Sequence, residues 1–180
     1  MEIIKTGIEG VLIIKPDVFR DERGYFFESY NKEKFHAAGL DMNFVQDNES
    51  RSRKGVIRGL HYQAPPFAQG KLVRVMNGAA IDVAVDLRKS SKTFGKWTSA
   101  TLSGENKWMF WIPEGFAHGF VTQEEDTVFF YKCTNFYNRE SERSIRWDDP
   151  DLAVDWGVTV PVISGKDEKA PFFRGIVSPF

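Results

Sequence analysis

The chain has 180 residues, a length that predicts one domain spanning residues 1–180. A chain of this length can bury a hydrophobic core large enough to fold without disulfide bonds. A composition of 42% hydrophobic and 27% charged residues excludes a disordered chain and a fibrous repeat. Lysine and arginine number 24 against 25 acidic residues, so the broad basic field of nucleic-acid-binding proteins is absent and no nucleic-acid partner is expected. Aromatic residues make up 14% of the chain, which favours strands and a concave ligand site.

Cysteine usage and hydropathy predict a cytoplasmic protein. The single cysteine, Cys133, has no partner for an intrachain disulfide. The first ten residues lack the charged-then-apolar layout of a signal peptide. No apolar run approaches the roughly 20 residues of a membrane span, so no membrane partner is expected.

Short strands dominate the predicted elements. The one helix signal lies at residues 31–39, where Asn31 is suited to the N-cap and Gly39 to a left-handed exit. Ten runs have the composition of strands and follow one another at the spacing of a β-sandwich or barrel. They cover residues 11–15, 24–30, 44–48, 56–63, 71–76, 80–87, 96–102, 108–112, 117–122 and 127–134.

Two local patterns make sharper predictions about these strands. Asn77 and Gly78 lie between two strand runs and form the strongest hairpin signal in the chain. Apolar residues alternate with Asp82, Ala84 and Asp86 over residues 81–87, which predicts a strand with one buried face. From about residue 150 to 180 the pattern loosens, so we expect a loop-rich segment that wraps the barrel.

The histidines do not have the spacing of a metal site. They stand at positions 36, 61 and 118, far from one another in the chain, and the one cysteine offers no soft partner. The sequence also lacks a glycine-rich phosphate loop or a dinucleotide fingerprint. We therefore expect neither a metal nor a cofactor.

Polar residues concentrate around His61. Arg58, Gln63, Lys71 and Arg74 lie nearby in otherwise apolar strand runs. Several cations inside a small barrel are costly unless an anion meets them, so an anionic ligand is one interpretation. The alternative is a buried structural histidine whose ring nitrogens are satisfied by neighbours. Tyr131 poses the same choice between a core ring and a functional phenol.

Nine sequence blocks together resemble the dTDP-4-dehydrorhamnose 3,5-epimerase family across nearly the whole chain. They are DERGYFFE (21–28), QDN (46–48), GVIRGLHYQ (55–63), GKLVRV (70–75), DVAVDLR (82–88), IPEGFAHGF (112–120), YKCT (131–134), IRWDDP (145–150) and SGKD (164–167). The resemblance implies an all-β, cupin-type jelly-roll barrel with short peripheral helices. It also implies a metal-free homodimer that acts in dTDP-L-rhamnose biosynthesis.

The resemblance further implies a substrate and a set of roles. The substrate would be a dTDP-4-keto-6-deoxyhexose, inverted at C3 and C5 through an enolate. His61 matches the family's base, Asp167 the carboxylate that orients it, Lys71 the cation near the oxyanion, and Tyr131 the proton donor on the opposite face. The matching substrate-binding positions are Arg23, Glu28, Gln46, Asp47, Asn48, Arg58, His118, Glu142 and Lys166.

Three points in the chain bear on that match. Strict alternation would put Arg58 and His61 on opposite faces of one strand, so we expect Gly59 between them to mark a bulge or a twist that re-aims one side chain. Gly165 stands where we expect the family to carry glutamate. The strand around residues 23–28 resembles one that serves the neighbouring subunit's site, which predicts a functional homodimer with strand exchange.

Three other functions compete with this interpretation. A relative that epimerises only C3 or C5 would carry the same base and acid. A metal-dependent cupin such as a dioxygenase would need clustered ligands, which the scattered histidines do not supply. A non-catalytic sugar-binding cupin would have no need of the complete set His61, Lys71, Tyr131 and Asp167.

Overall fold

Two antiparallel sheets face each other and enclose the interior of the molecule. The computed structural model describes residues 1–180. The strands are β1 (Glu2–Lys5), β2 (Leu12–Lys15), β3 (Phe19–Asp21), β4 (Gly24–Phe26), β5 (Gln46–Ser52), β6 (Ile57–Gln63), β7 (Lys71–Asn77), β8 (Ala79–Asp86), β9 (Trp97–Ser103), β10 (Met109–Ile112), β11 (Phe116–Thr122), β12 (Thr127–Cys133) and β13 (Glu142–Ser144). The helices are α1 (Lys32–Ala37) and α2 (Gly165–Glu168), with a 3-10 turn at Phe173–Gly175.

The strand order is that of a jelly roll. One sheet has the order β1-β2-β10-β7-β12-β5, the other β13-β6-β11-β8-β9, and β3 and β4 form a separate hairpin. From β7 to β12 nearly every connection crosses from one sheet to the other. The predicted all-β jelly roll with short peripheral helices is confirmed.

Apolar side chains fill two layers. Between the sheets, the rings of Phe120 and Phe129 stack with centroids 3.8 Å apart, and Phe110 is fully buried beside them. On the outer face of the five-stranded sheet, residues 145–180 pack over β6 and β8, with Leu152 and Trp156 buried. This outer layer carries α2 to the mouth of the barrel.

The prediction that β8 has one buried face is wrong. Asp82, Ala84 and Asp86 are 0% exposed, as are Val83 and Val85 on the opposite face. The outer side chains are covered by residues 145–180, and the two aspartates are enclosed by polar groups inside the barrel and at its rim. Alternation reveals the two faces of a strand but cannot show what covers each of them.

The predicted hairpin at Asn77 and Gly78 is also wrong. β7 pairs with β10 and β12, whereas β8 pairs with β9 and β11, so the turn carries the chain between sheets. The positive φ of Gly78, 76°, is the conformation the dipeptide predicts, and a Cβ there would lie 2.5 Å from Thr127 Oγ1. A sharp reversal is therefore encoded locally, but the choice of strand partner is not.

Several element boundaries differ from the predicted ones. The helix begins as predicted, with Asn31 accepting from Lys34 N at 3.2 Å. The strand predicted at 24–30 ends at Phe26, and the one predicted at 44–48 begins at Gln46 and continues to Ser52. β1, β3, β13 and α2 are not among the predicted elements. None of the helices has the length and hydropathy needed to cross a membrane.

Candidate active site

A cleft of about 500 Å³ opens between the sheets at one end of the barrel. Polar residues from both sheets and from α2 line it, namely Ser50, Arg58, His61, Lys71, His118, Tyr131, Ser164, Lys166 and Asp167. A smaller adjoining pocket shares His61, Lys71 and Tyr131 with it and adds Gln46, Asn48, Tyr137 and Glu142. The structure thus gathers most of the predicted site residues around three shared side chains.

His61 and Asp167 form a dyad across 106 residues of sequence. His61 Nε2 lies 2.6 Å from Asp167 Oδ1, and the carboxylate is almost fully buried. Burial alone would raise the pKa of Asp167, but the hydrogen bond and charge of His61, with hydrogen bonds from Ser164 and the Gly59 backbone, together hold that pKa below its ordinary value. A carboxylate accepts only from N–H, so Nε2 carries the proton and Nδ1 is left as the basic nitrogen.

Ser164 positions the carboxylate of this dyad. Its hydroxyl caps α2 by accepting from Asp167 N at 3.1 Å. Gly165 lies in the same turn, and a Cβ added to it would have nothing within 4 Å, so a side chain there meets open space. The absence of glutamate at this position therefore leaves the His61–Asp167 contact intact.

A bulge in β6 brings Arg58 and His61 to the same cleft. His61 faces His118 on β11 while Arg58 faces Phe120, so three steps on β6 match two on β11. Gly59 takes a φ of 141°, and a Cβ there would lie 2.5 Å from the Cα of Gly119. The extra residue reverses the alternation, which confirms the bulge expected at Gly59.

Lys71 and Tyr131 stand on the inner face of β7 and β12. Lys71 Nζ lies 5.9 Å from the centroid of the Tyr131 ring, and neither polar group has a hydrogen-bond partner in the chain. Burial lowers the pKa of Lys71 and raises the pKa of Tyr131. The cleft therefore holds a desolvated amine and a protonated phenol, both free to meet a ligand.

The histidine at position 118 is paired with an aspartate that sequence reasoning missed. His118 Nε2 lies 2.9 Å from Asp82 Oδ1, although the two are not aligned as a hydrogen bond. Burial lowers the pKa of His118 and raises that of Asp82, with the pair's attraction opposing both shifts. The signal available in the sequence was an aspartate in the middle of an apolar strand.

An ion pair spans the mouth of the cleft. Lys166 Nζ lies 2.6 Å from Glu142 Oε1, and Tyr137 donates to the other carboxylate oxygen at 3.3 Å. Burial would raise the pKa of Glu142, but Lys166, together with His61 and Tyr137, outweighs that effect and lowers the pKa. Nearby, Gln46 accepts from Tyr137 N at 2.8 Å and donates to Asn48 at 3.0 Å.

Three predicted binding residues do not reach this cleft. Alternation along β5 turns Asp47 outward, where Lys132 pairs with it at 2.8 Å, because its neighbours Gln46 and Asn48 face inward. Arg23 is exposed in the turn between β3 and β4, paired with Asp21. Glu28 is paired with Lys34 beside α1. For Arg23 and Glu28 a role in a neighbouring subunit's site stays a prediction.

No group of three His, Cys, Asp or Glu side chains converges in a way that would hold a metal ion. Independence from metal stays a prediction, and a test of it is given below.

Comparison with known proteins assigns the family. The family model described as dTDP-4-dehydrorhamnose 3,5-epimerase matches residues 5–175. The dTDP-4-dehydrorhamnose 3,5-epimerase of Shigella flexneri is 55% identical over 168 residues, covering 93% of both chains.

Two solved structures extend this comparison. The dTDP-6-deoxy-D-glucose-3,5-epimerase of Legionella pneumophila, in complex with dTDP-4-keto-L-rhamnose, is 50% identical with a TM-score of 0.94 and covers 98% of this chain and 94% of its own. A 3'-monoepimerase of Streptomyces bikiniensis, in complex with dTDP-quinovose, is 33% identical with a TM-score of 0.88 and covers 93% and 85%. With a dyad, a free cation and a phenol in one cleft of the same fold, this chain belongs to the dTDP-4-dehydrorhamnose 3,5-epimerase family.

Proposed function

We propose that the cleft epimerises dTDP-4-dehydro-6-deoxy-D-glucose at C3 and C5 to dTDP-4-dehydro-L-rhamnose, an isomerase step of dTDP-L-rhamnose biosynthesis. The observation that carries the proposal is the 2.6 Å contact of His61 with Asp167 beside the unpaired Lys71. A base, its orienting carboxylate and a cation in one desolvated cleft are the groups that enolate chemistry requires.

The C4 ketone acidifies the hydrogens on C3 and C5, and each centre inverts through an enolate. Nδ1 of His61 removes the proton, and Asp167 stabilises the imidazolium that forms. Lys71 stabilises the negative charge that develops on O4, and its charge acts strongly because the site is desolvated. Tyr131 returns a proton from the opposite face, and a phenol whose pKa is raised by burial is protonated for that role.

The rest of the cleft suits the nucleotide. Arg58 has no ion-pair partner in the chain and places positive charge at the cleft, as a diphosphate requires, while Lys166 adds a cation that is paired with Glu142. Gln46, Asn48 and Glu142 offer amide and carboxylate groups to a sugar or base from the adjoining pocket. Arg23 and Glu28 would complete the neighbouring site in a homodimer. The homodimer and a cytoplasmic location are parts of this proposal.

Counting exchanged hydrogens tests the reaction. Incubation with dTDP-4-keto-6-deoxyglucose in deuterated water should place deuterium at both C3 and C5, since each proton passes through a group that exchanges with solvent. Deuterium at one carbon only would favour the single-position epimerase, the alternative represented among the solved structures.

Asp167→Asn supplies the matched variant for the same assay. The amide can hold the imidazole but cannot stabilise imidazolium by charge, so binding should persist while turnover falls well over tenfold. A fall of less than about threefold would mean that another group orients the base.

A further inference from the structure

Ser52 makes a contact that none of the proposed roles accounts for. It is the last residue of β5, 7% exposed, with its hydroxyl on the inner face of the six-stranded sheet. Arg58, on the five-stranded sheet, directs Nε and Nη2 at this one oxygen, each at 3.1 Å. The contact therefore joins the two sheets at the cleft, through an arginine that lines it.

We propose that Ser52 is a positioning residue that presents the Arg58 guanidinium edge-on to the diphosphate of the substrate; the inference rests on the proposed phosphate role of Arg58. A guanidinium has five N–H donors in a planar fork. Ser52 accepts from the edge formed by Nε and Nη2. The other edge, formed by Nη1 and Nη2, keeps two parallel donors, which is the arrangement that binds phosphate oxygens in a bidentate manner.

A hydroxyl acceptor suits this task better than a carboxylate would. Arg58 forms no ion pair within the chain, unlike Arg88 and Arg146, which are held by Asp86 and Asp148. An aspartate at position 52 would orient the guanidinium but also neutralise it and compete with the phosphate. Serine restricts the rotation of the side chain and leaves the full positive charge for the ligand. An arginine held in its binding orientation loses less conformational freedom when the ligand arrives.

The test is a double-mutant cycle read by ligand binding. Ser52→Ala, Arg58→Gln and the double variant are compared by calorimetric titration with dTDP and by steady-state kinetics. Loss of a hydrogen bond to a charged group predicts that Ser52→Ala weakens dTDP binding about tenfold. KM should rise by a similar factor while kcat falls by less, since the diphosphate is bound in both the ground state and the transition state. In the Arg58→Gln background the serine substitution should have no further effect.

Ser52→Cys is the second variant, because it keeps the shape of the side chain and replaces a good acceptor with a weak one. It should reproduce the loss seen with alanine, at an unchanged melting temperature. If Arg58→Gln leaves dTDP affinity unchanged, the phosphate role of Arg58 fails and this inference with it. If Arg58→Gln weakens binding but Ser52→Ala and Ser52→Cys do not, the role of Ser52 alone is overturned. An equal effect of Ser52→Ala with and without the arginine would also overturn it.

Discussion

Lys71 is a cation held in a buried position, where little water can solvate its charge. It lines the cleft without a carboxylate at ion-pair distance, and burial lowers its pKa. The cost of holding an unpaired charge in such a place is recovered only when an anion forms next to it. At the residue scale, this environment supports the proposed role of Lys71, which is to stabilise a developing enolate more than a neutral ketone.

The environment of Lys71 predicts the alkaline limb of the pH profile. Burial lowers the pKa of Lys71 from its ordinary value and raises that of Tyr131, so it favours loss of the lysine proton and opposes loss of the phenol proton as pH rises. As pH rises and the ammonium is lost, we expect the rate of C5 deuterium exchange to fall at a lower pH than an ordinary lysine would require. In Lys71→Arg the positive charge persists past pH ~12, so the alkaline limb should move to higher pH. If the alkaline limb disappears in Tyr131→Phe, the titrating group is the phenol of Tyr131 and not Lys71.

Tyr131→Phe should separate deprotonation from inversion. His61 and Lys71 would still form and hold the enolate, but no donor would stand on the opposite face. Solvent deuterium should then enter the starting sugar faster than inverted product appears, which nuclear magnetic resonance can follow. The ring is retained, so loss of packing is small. Exchange that collapses together with product formation, or full epimerase activity, would return Tyr131 to the role of a core ring.

At the scale of elements, β6 shows how one glycine changes which side chains share a face. Gly59 approaches the backbone of Gly119 so closely that any Cβ would displace it. The resulting bulge turns Arg58 toward the same cleft as His61. Two glycines facing each other across neighbouring strands thus allow the proposed phosphate-binding group and the proposed base to come from one strand.

Asp86, at the end of β8, anchors the loop that follows it. Burial would raise its pKa, but hydrogen bonds from Arg88, Ser91 and Thr93 outweigh that effect and lower the pKa to about 2. Relative to its unfolded value of 3.8, this carboxylate stabilises the fold above pH ~4, and the stabilisation is lost as pH falls toward 2. The shift corresponds to about 2 kcal/mol.

Asp86→Asn should therefore lose stability in a pH-dependent way. The gap in unfolding free energy between the wild type and the variant should narrow by about 2 kcal/mol as pH falls from 5 to 2. Urea titrations at several pH values measure it. Asp151→Asn, whose carboxylate pairs with the exposed Arg174, serves as the control and should show a much smaller change. A gap that stays constant with pH would show that Asp86 contributes little through its charge.

At the scale of the whole molecule, the site is assembled from three layers. The six-stranded sheet supplies Lys71 and Tyr131, the five-stranded sheet His61 and His118, and the C-terminal segment Asp167. Residues 145–180 have little regular structure, yet they bury apolar side chains against the outer face of β6 and β8. This packing holds α2 at the barrel mouth, so the dyad depends on a segment that forms neither sheet.

Mixing inactive subunits tests whether the β3–β4 region completes a partner's site. Arg23→Gln and His61→Asn should each be inactive or nearly so as homodimers. If they are unfolded and refolded together in equal amounts, half of the dimers are mixed, and each mixed dimer has one intact site. Activity should return to about a quarter of the wild-type value. Activity that stays at the level of the separate variants would place Arg23 outside the neighbouring site.

Metal removal tests the remaining mechanistic alternative. Because Lys71 and hydrogen bonds are proposed to meet the oxyanion, activity should survive prolonged dialysis against a chelator. Elemental analysis of the dialysed protein provides the control for complete removal. Activity that is lost with the metal and restored by one divalent ion would overturn the proposed chemistry.

The amino-acid sequence by itself determined most of the strands of the two sheets, the helix at Asn31, and the set of side chains available for chemistry, because these depend on local periodicity, capping and residue type. The tertiary structure alone decided the partners. It turned the Asn77–Gly78 reversal into a crossover between sheets, covered both faces of β8, and paired Asp82 with His118. It also brought Asp167 within 2.6 Å of His61. Such contacts join residues far apart in the chain, and their formation depends on how two sheets and a wrapping segment pack, which no local pattern encodes.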